Sequence, residues 1–301
     1  MRKTFLVLAL TLLGVSACPF QTYAKDNGDV SAHHVGFHIE AGADLVSSYL
    51  WRGQNLGGLS IQPSVTLGWG GLYVSGWANI GADNWKFQNI NPELDVTIGY
   101  DNFGFQIDLT HFYYFDGSYF PKNGFKMDYE PESSSTMEAH IGFHLGDLVE
   151  AVPLSVDWYT TIYGADHYVN SNDKLQRAWS SYLQVGYDFY LPWELVLGAR
   201  VGLTPWRSMY AYTSTTNPDG TIELNYYEDV WKDAKTVAIN NVNLRLDREF
   251  EIGLLTLGVW AECMLNCYGV NKDNFVTEVV RKAEQRFNWC IGGSVYIGNE
   301  W

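Results

Sequence analysis

Thirteen residues of the chain combine charged or polar side chains with a shared spacing: Glu40, Asp44, Arg52, Gln62, Glu93, Asp95, Asp108, Glu138, His140, Asp157, Arg200, Arg245 and Glu262. Each has an apolar neighbour on at least one side, so each alternates with hydrocarbon along its own segment. Alternation of that kind puts polar side chains on one face of a strand and oily ones on the other. If the oily face meets lipid, the thirteen residues line a common interior. Carboxylates outnumber guanidiniums eight to three among them. A narrow water-filled interior with that balance favours small cations or neutral polar solutes and repels anions. The same residues also allow a second arrangement, in which the acids pair with Arg52, Arg200 and Arg245 and block the passage. Both stay open at this point.

Other chemistry finds less support. Glu138, His140 and His144 share one strand face, but at strand rise the two histidines stand ~13 Å apart, too far to share an ion without ligands from other strands. His111 interrupts an apolar run on the outward face, with Ser47 and Ser181 elsewhere, the residue types a lipid-directed hydrolase would use. Nothing fixes their spacing, and a histidine beside Tyr113 and Phe115 suits a membrane interface. No phosphate-cradling glycine loop or dinucleotide fingerprint is present. No catalytic residue, metal ligand or cofactor is therefore assigned.

The elements that must position these residues are strands. Phe287 to Trp301 alternates Phe287, Trp289, Ile291, Gly293, Val295, Ile297 against Asn288, Cys290, Gly292, Ser294, Tyr296. An unpaired strand of this kind is an aggregation hazard, and pairing with the first strand would close a barrel. The opening segment reads Val35, Phe37, Ile39, Ala41, Ala43, Leu45 on one face and Glu40, Gly42, Asp44 on the other, continuing to the aromatic pair Tyr49 and Trp51. A second strand follows from Leu59 to Trp69, and Gly70-Gly71 turns the chain into Leu72, Val74, Gly76, Ala78.

This opening resembles a known family. Ser48-Tyr49-Leu50-Trp51-Arg52-Gly53, then Pro63, then Gly71-Leu72-Tyr73-Val74-Ser75-Gly76-Trp77-Ala78 is similar to the S-x-Y-x-x-R-G start, proline and G-x-Y-x-G-x-W strand of the TorF-like porins of Gram-negative bacteria. The resemblance covers about the first quarter of the mature chain. It implies an outer-membrane barrel and a pore, and it carries over no functional residue.

The rhythm continues through Leu94–Tyr100, Phe103–His111, Met137–Leu145, Leu154–Ile162, Trp179–Phe189, Leu195–Leu203, Ala238–Arg248 and Glu251–Tyr268, giving about twelve strands. Connections after even-numbered strands are short, and those after odd-numbered strands are mostly long. An up-and-down barrel with both termini in the periplasm requires that parity, with short periplasmic turns and longer extracellular loops. The longest connection, 205–233, carries the turn signal Asn217-Pro218-Asp219-Gly220 and predicts a hairpin that projects outward or folds into the mouth. The expected fold is an all-β transmembrane antiparallel barrel over residues 35–301.

Before it come Arg2, Lys3 and an apolar run from Phe5 to Val15, the signature of a secretory signal. Cleavage after Ala24 defines a signal peptide of 1–24 and a periplasmic segment of 25–34; Val15-Ser16-Ala17-Cys18 offers lipidation at Cys18 instead. No run reaches the ~20 apolar residues of a membrane-crossing helix. Glycines number 29 and aromatics make up 16% of the chain, yet its mean hydropathy is near neutral, as alternating hydrophobicity produces. A formal charge of −15 argues against nucleic acid. Cys263, Cys267 and Cys290 read as small wall residues. The expected location is the cell outer membrane. The partners are its lipid, small solutes, and the barrel-assembly machinery, which would read the terminal strand ending at Trp301.

Overall fold

The computed structural model describes residues 36–82, 93–114, 135–149, 151–164, 166–169, 175–206, 213–216, 222–225, 238–267 and 287–300. The signal at 1–24, Cys18, the 25–34 segment and Trp301 lie outside the described residues.

Strands appear wherever apolar and polar residues alternate. In chain order they are β1 Phe37–Val46, β2 Tyr49–Trp51, β3 Gln54–Gly57, β4 Ser60–Trp69, β5 Leu72–Gly81, β6 Glu93–Asn102, β7 Phe105–Tyr114, β8 Ser135–His144 and β9 Leu154–Gly164. Then follow β10 His167–Val169, β11 Leu175–Arg177, β12 Ser181–Leu191, β13 Leu195–Thr204, β14 Thr213–Thr216, β15 Ile222–Asn225, β16 Ala238–Ile252, β17 Leu255–Asn266 and β18 Phe287–Glu300. Twelve of them form a closed barrel in the order β1-β18-β17-β16-β13-β12-β9-β8-β7-β6-β5-β4. The terminal strand closes it: β18 pairs with β1 from His38↔Glu300 to Val46↔Gly292, while β4 pairs along the other edge of β1. All barrel pairings are antiparallel, so no edge is left open.

The barrel is inside out. On β4, Val65 and Leu67 are 43% and 46% exposed, while Gln62 and Ser64 between the apolar positions are 1% and 4% exposed. The same holds on β18, where Trp289, Ile291 and Val295 face outward and Asn288 and Cys290 inward. Exposed hydrocarbon on every wall suits a lipid surround, and a closed barrel satisfies its backbone polar groups there. Among the described residues no helix is long and apolar enough to cross a membrane. The protein is therefore a transmembrane β-barrel of the outer-membrane type.

Loop parity follows the expected pattern. The connections at 70–71, 103–104, 145–153, 192–194 and 253–254 close one end, and the strand ends that flank the long connections lie at the other. Gly70 and Gly71 have φ of +58° and +88°, the left-handed pair that a two-residue hairpin requires. Within 205–233 the backbone pairs Thr213↔Asn225 to Thr216↔Ile222, a hairpin placed around the expected turn signal.

The opening segment departs from the sequence reading. It is not one strand running to Trp51: β1 ends at Val46, the chain bends at Ser47-Ser48, and β2 and β3 form a separate small hairpin. The signal lay in the sequence, because Val46 and Leu50 turn the polar face of the strand apolar. Both are buried inside the barrel with Trp260, Met264 and Cys290. Likewise, β12 begins at Ser181 rather than Trp179, whose φ of +53° ends the extended run. Cys263, Cys267 and Cys290 are all free thiols.

Candidate functional site

Ten of the thirteen residues, Glu40, Asp44, Arg52, Asp95, Asp108, Glu138, His140, Asp157, Arg200 and Arg245, line one internal cavity of about 450 Å³. The other three, Gln62, Glu93 and Glu262, point inward but are sealed nearer the long-loop end, each no more than 5% exposed. The cavity reaches the short-turn end, since Gly71, Asp101, His144, Glu249 and Thr256 border it close to the turns.

At the short-turn end two polar clusters face the space. On β7, β8 and β9 the alternating inward positions bring Asp108, His140, His144 and Asp157 together. His140 Nδ1 lies 2.7 Å from Asp108 Oδ2, and its Nε2 lies 3.2 Å from Asp157 Oδ1. His144 Nε2 meets that same Asp157 oxygen at 2.9 Å. Tyr73 and the Gln106 amide both donate to Asp108 Oδ2, at 3.0 Å each. The His140 ring stacks flat on Tyr159, with centroids 4.2 Å apart. On β12, β13 and β16, Arg200 pairs with Asp188 at 2.6 Å and Arg245 with Asp247 at 2.7 Å, and the Arg245 guanidinium sits 4.0 Å from the centre of the Trp260 ring.

The two histidines meet through another strand, as their spacing requires. Strand rise separates their backbones, yet both rings lean toward Asp157, so their Nε2 atoms converge on one carboxylate oxygen of the neighbouring strand. Among the described residues no group of three or more His, Cys, Asp and Glu side chains is arranged to hold a metal ion.

The long-loop end is filled by the chain itself. The β2–β3 hairpin folds into the barrel, with Arg52 and Gly53 at its turn in the left-handed region at φ +45° and +87°. Tyr49 packs against Trp77 at 5.6 Å and Trp51 against Phe112 at 6.1 Å. Arg52 meets Glu138 on β8 two-pronged, Nη1 to Oε2 at 2.5 Å and Nη2 to Oε1 at 2.7 Å. Its guanidinium lies 3.9 Å from the Tyr159 ring centre and 5.1 Å from that of Tyr182. Arg52 thus reaches the interior from an inserted turn, not from the wall of the first strand. Beneath the hairpin a bonded chain runs from Tyr182 to Asn241, Asn243 and Glu262.

The residues of the hydrolase reading do not meet. His111 on β7 and Ser181 on β12 are three strands apart around the wall, ~14 Å at sheet spacing. Ser181, expected on the outer surface, is fully covered and shares its hydroxyl with Thr160 and the Trp179 carbonyl. Ser47 accepts the Ile291 amide across the closing seam.

Sequence reasoning missed the inward aromatics Tyr49, Trp51, Tyr73, Tyr159 and Tyr182. Parity placed Tyr159 and Tyr182 inward on their strands, but an aromatic ring reads as membrane-facing unless its position in the alternation is followed.

Neither a family model nor a curated protein sequence matches the chain. Solved structures with a similar course include the KdgM porin, at 8% identity and TM-score 0.39, covering 86% of this chain and 98% of that one. The NanC porin gives 9% and 0.38, with 87% and 98% covered. An outer-membrane channel from Pseudomonas putida F1 gives 11% and 0.39, with 92% and 100% covered. At these scores the functional reading stands on the chain's own geometry.

Proposed function

We propose that the protein is an outer-membrane channel for small hydrophilic solutes, of the kind that the TorF-like resemblance of its opening implies, and that it favours cations and neutral molecules over anions. The carrying observation is the internal cavity, which ten carboxylates and four guanidiniums line. A low-dielectric wall with that excess focuses a negative potential into the passage and raises the local concentration of cations. The short turns face the periplasm in this reading, and β18 is the strand that the assembly machinery engages. The alternative, a plugged barrel with a structural or surface role, is favoured by one observation: the β2–β3 hairpin occupies the long-loop half.

Planar-bilayer recording of the refolded protein under a KCl gradient tests the reading. Discrete conductance steps with a cation-selective reversal potential are expected. A bilayer that incorporates the barrel and stays silent would remove the channel and leave the structural role.

A further inference from the structure

The surroundings of Arg52 have the composition of a receptor for its own head group. Glu138 offers both oxygens to the guanidinium fork, and Tyr159 and Tyr182 present ring faces to the cation. A two-pronged carboxylate beside aromatic faces is the arrangement that selects guanidinium over a compact ammonium. These three residues belong to the barrel wall, on β8, β9 and β12, whereas Arg52 arrives on a hairpin between β1 and β4. The recognition elements are therefore built independently of the arginine that fills them.

The wall also holds one more carboxyl group than Arg52 pairs with. Asp95 on β6 lies within electrostatic reach of Glu93, Glu138 and Arg52. It is 4% exposed, and its Oδ1 is buried with no hydrogen-bond partner among the described residues. Directly beside it in register, Ser64 Oγ and Trp77 Nε1 are buried and likewise have no partner among the described residues.

We propose that Glu138, Asp95, Tyr159 and Tyr182 form a binding site for guanidinium-bearing organic cations traversing the barrel, and that Arg52 is a tethered occupant which such a solute displaces. This rests on the channel reading and names its preferred solute class. Displacement exchanges one guanidinium for another on Glu138, so the wall keeps its ion pair while the hairpin is released. The unpartnered atoms of β4, β5 and β6 then meet water.

The test uses the full chain refolded as wild type, Arg52→Ala, and Arg52→Ala with Glu138→Gln, with methylguanidinium chloride as probe and tetramethylammonium chloride as comparison. Current block by methylguanidinium is expected in Arg52→Ala at a concentration at least tenfold below that of tetramethylammonium, and at least tenfold below that needed in wild type. Adding Glu138→Gln is expected to abolish that preference. A conducting Arg52→Ala barrel that both cations block alike overturns the receptor and leaves the channel standing. If no variant conducts although circular dichroism shows folded barrels, the channel reading fails, and tryptophan fluorescence of Arg52→Ala in detergent decides the receptor alone: saturable quenching by methylguanidinium upholds it and a flat titration removes it. Arg52→Gln repeats the series if the alanine variant does not refold.

Discussion

Toward the short turns, inward residues such as Thr66, Ser75 and Thr256 border open space, and charged groups pair along its wall. Toward the long loops, Ser60, Gln62, Tyr182 and Met264 are covered almost completely, and the β2–β3 hairpin packs on the last two through Arg52 and Leu50. The same alternating strands wall both halves, and their inward residues are largely polar in both. What differs is whether water or the chain itself satisfies them. Wall chemistry alone therefore does not separate a pore from a plug; one inserted turn does.

The largest expected effect probes the filled half. Trp77 is 2% exposed and carries Tyr49 on its ring. Trp77→Ala should cost ~3–5 kcal/mol, as removal of a packed indole does. In the open half, Thr256→Ala should stay within ~0.5 kcal/mol, as surface changes do. Urea titration of the protein refolded in lipid measures both, and similar values would dissolve the distinction between the halves.

Next is the contrast between inside and outside, tested by one substitution at adjacent positions. Val65→Lys places an ammonium in the hydrocarbon belt and should cost ~2–4 kcal/mol. Thr66→Lys places it in the acid-lined cavity and should cost under ~1 kcal/mol. Equal losses would mean that the exposed face of β4 does not meet lipid.

These contrasts follow what the sequence made legible. Barrel closure, strand parity and the inward set were readable because each depends on a period of two and on hydrocarbon length, which are local properties. The hairpin was legible only in the apolar Val46 and Leu50 on the polar face, because Ser47 to Arg52 otherwise continues the alternation while its environment changes. Once a segment leaves the wall, both its faces touch protein, and Tyr49 and Leu50 are both buried. The meeting of His140 and His144 was lost for a related reason. Rise per residue fixes where backbones lie, while an imidazole reaches several ångströms toward a shared acceptor such as Asp157.

Selectivity offers a subtler comparison. Asp157 lines the cavity and receives both histidines, whereas Glu262 is buried beyond it. Asp157→Asn should lower the cation-over-anion permeability ratio by roughly twofold, since it removes one focused charge from the passage. Glu262→Gln should leave the ratio unchanged. Reversal potentials under a salt gradient measure both, and an effect of Glu262→Gln as large as that of Asp157→Asn would place the conduction path through the filled half.

The smallest effect concerns a pair at the rim of the cavity. Arg248 and Glu194 approach to 3.6 Å at the short-turn rim, with side chains 39% and 80% exposed. Solvent screens such a pair, and holding two long side chains in one geometry costs entropy, so Glu194→Gln should change stability by under ~0.5 kcal/mol and less still in high salt. The buried pair of Arg200 and Asp188, at 2.6 Å with side chains 9% and 20% exposed, lies on the other side of the comparison. Arg200 Nη1 also donates to the carbonyls of Tyr187 and Ala199, so its guanidinium is fixed whether or not the carboxylate is charged. Asp188→Asn should therefore exceed Glu194→Gln in cost at every ionic strength, with a gap that widens as salt rises. A gap that closes at high salt would show that salt reaches the Arg200–Asp188 pair as freely as it reaches the rim.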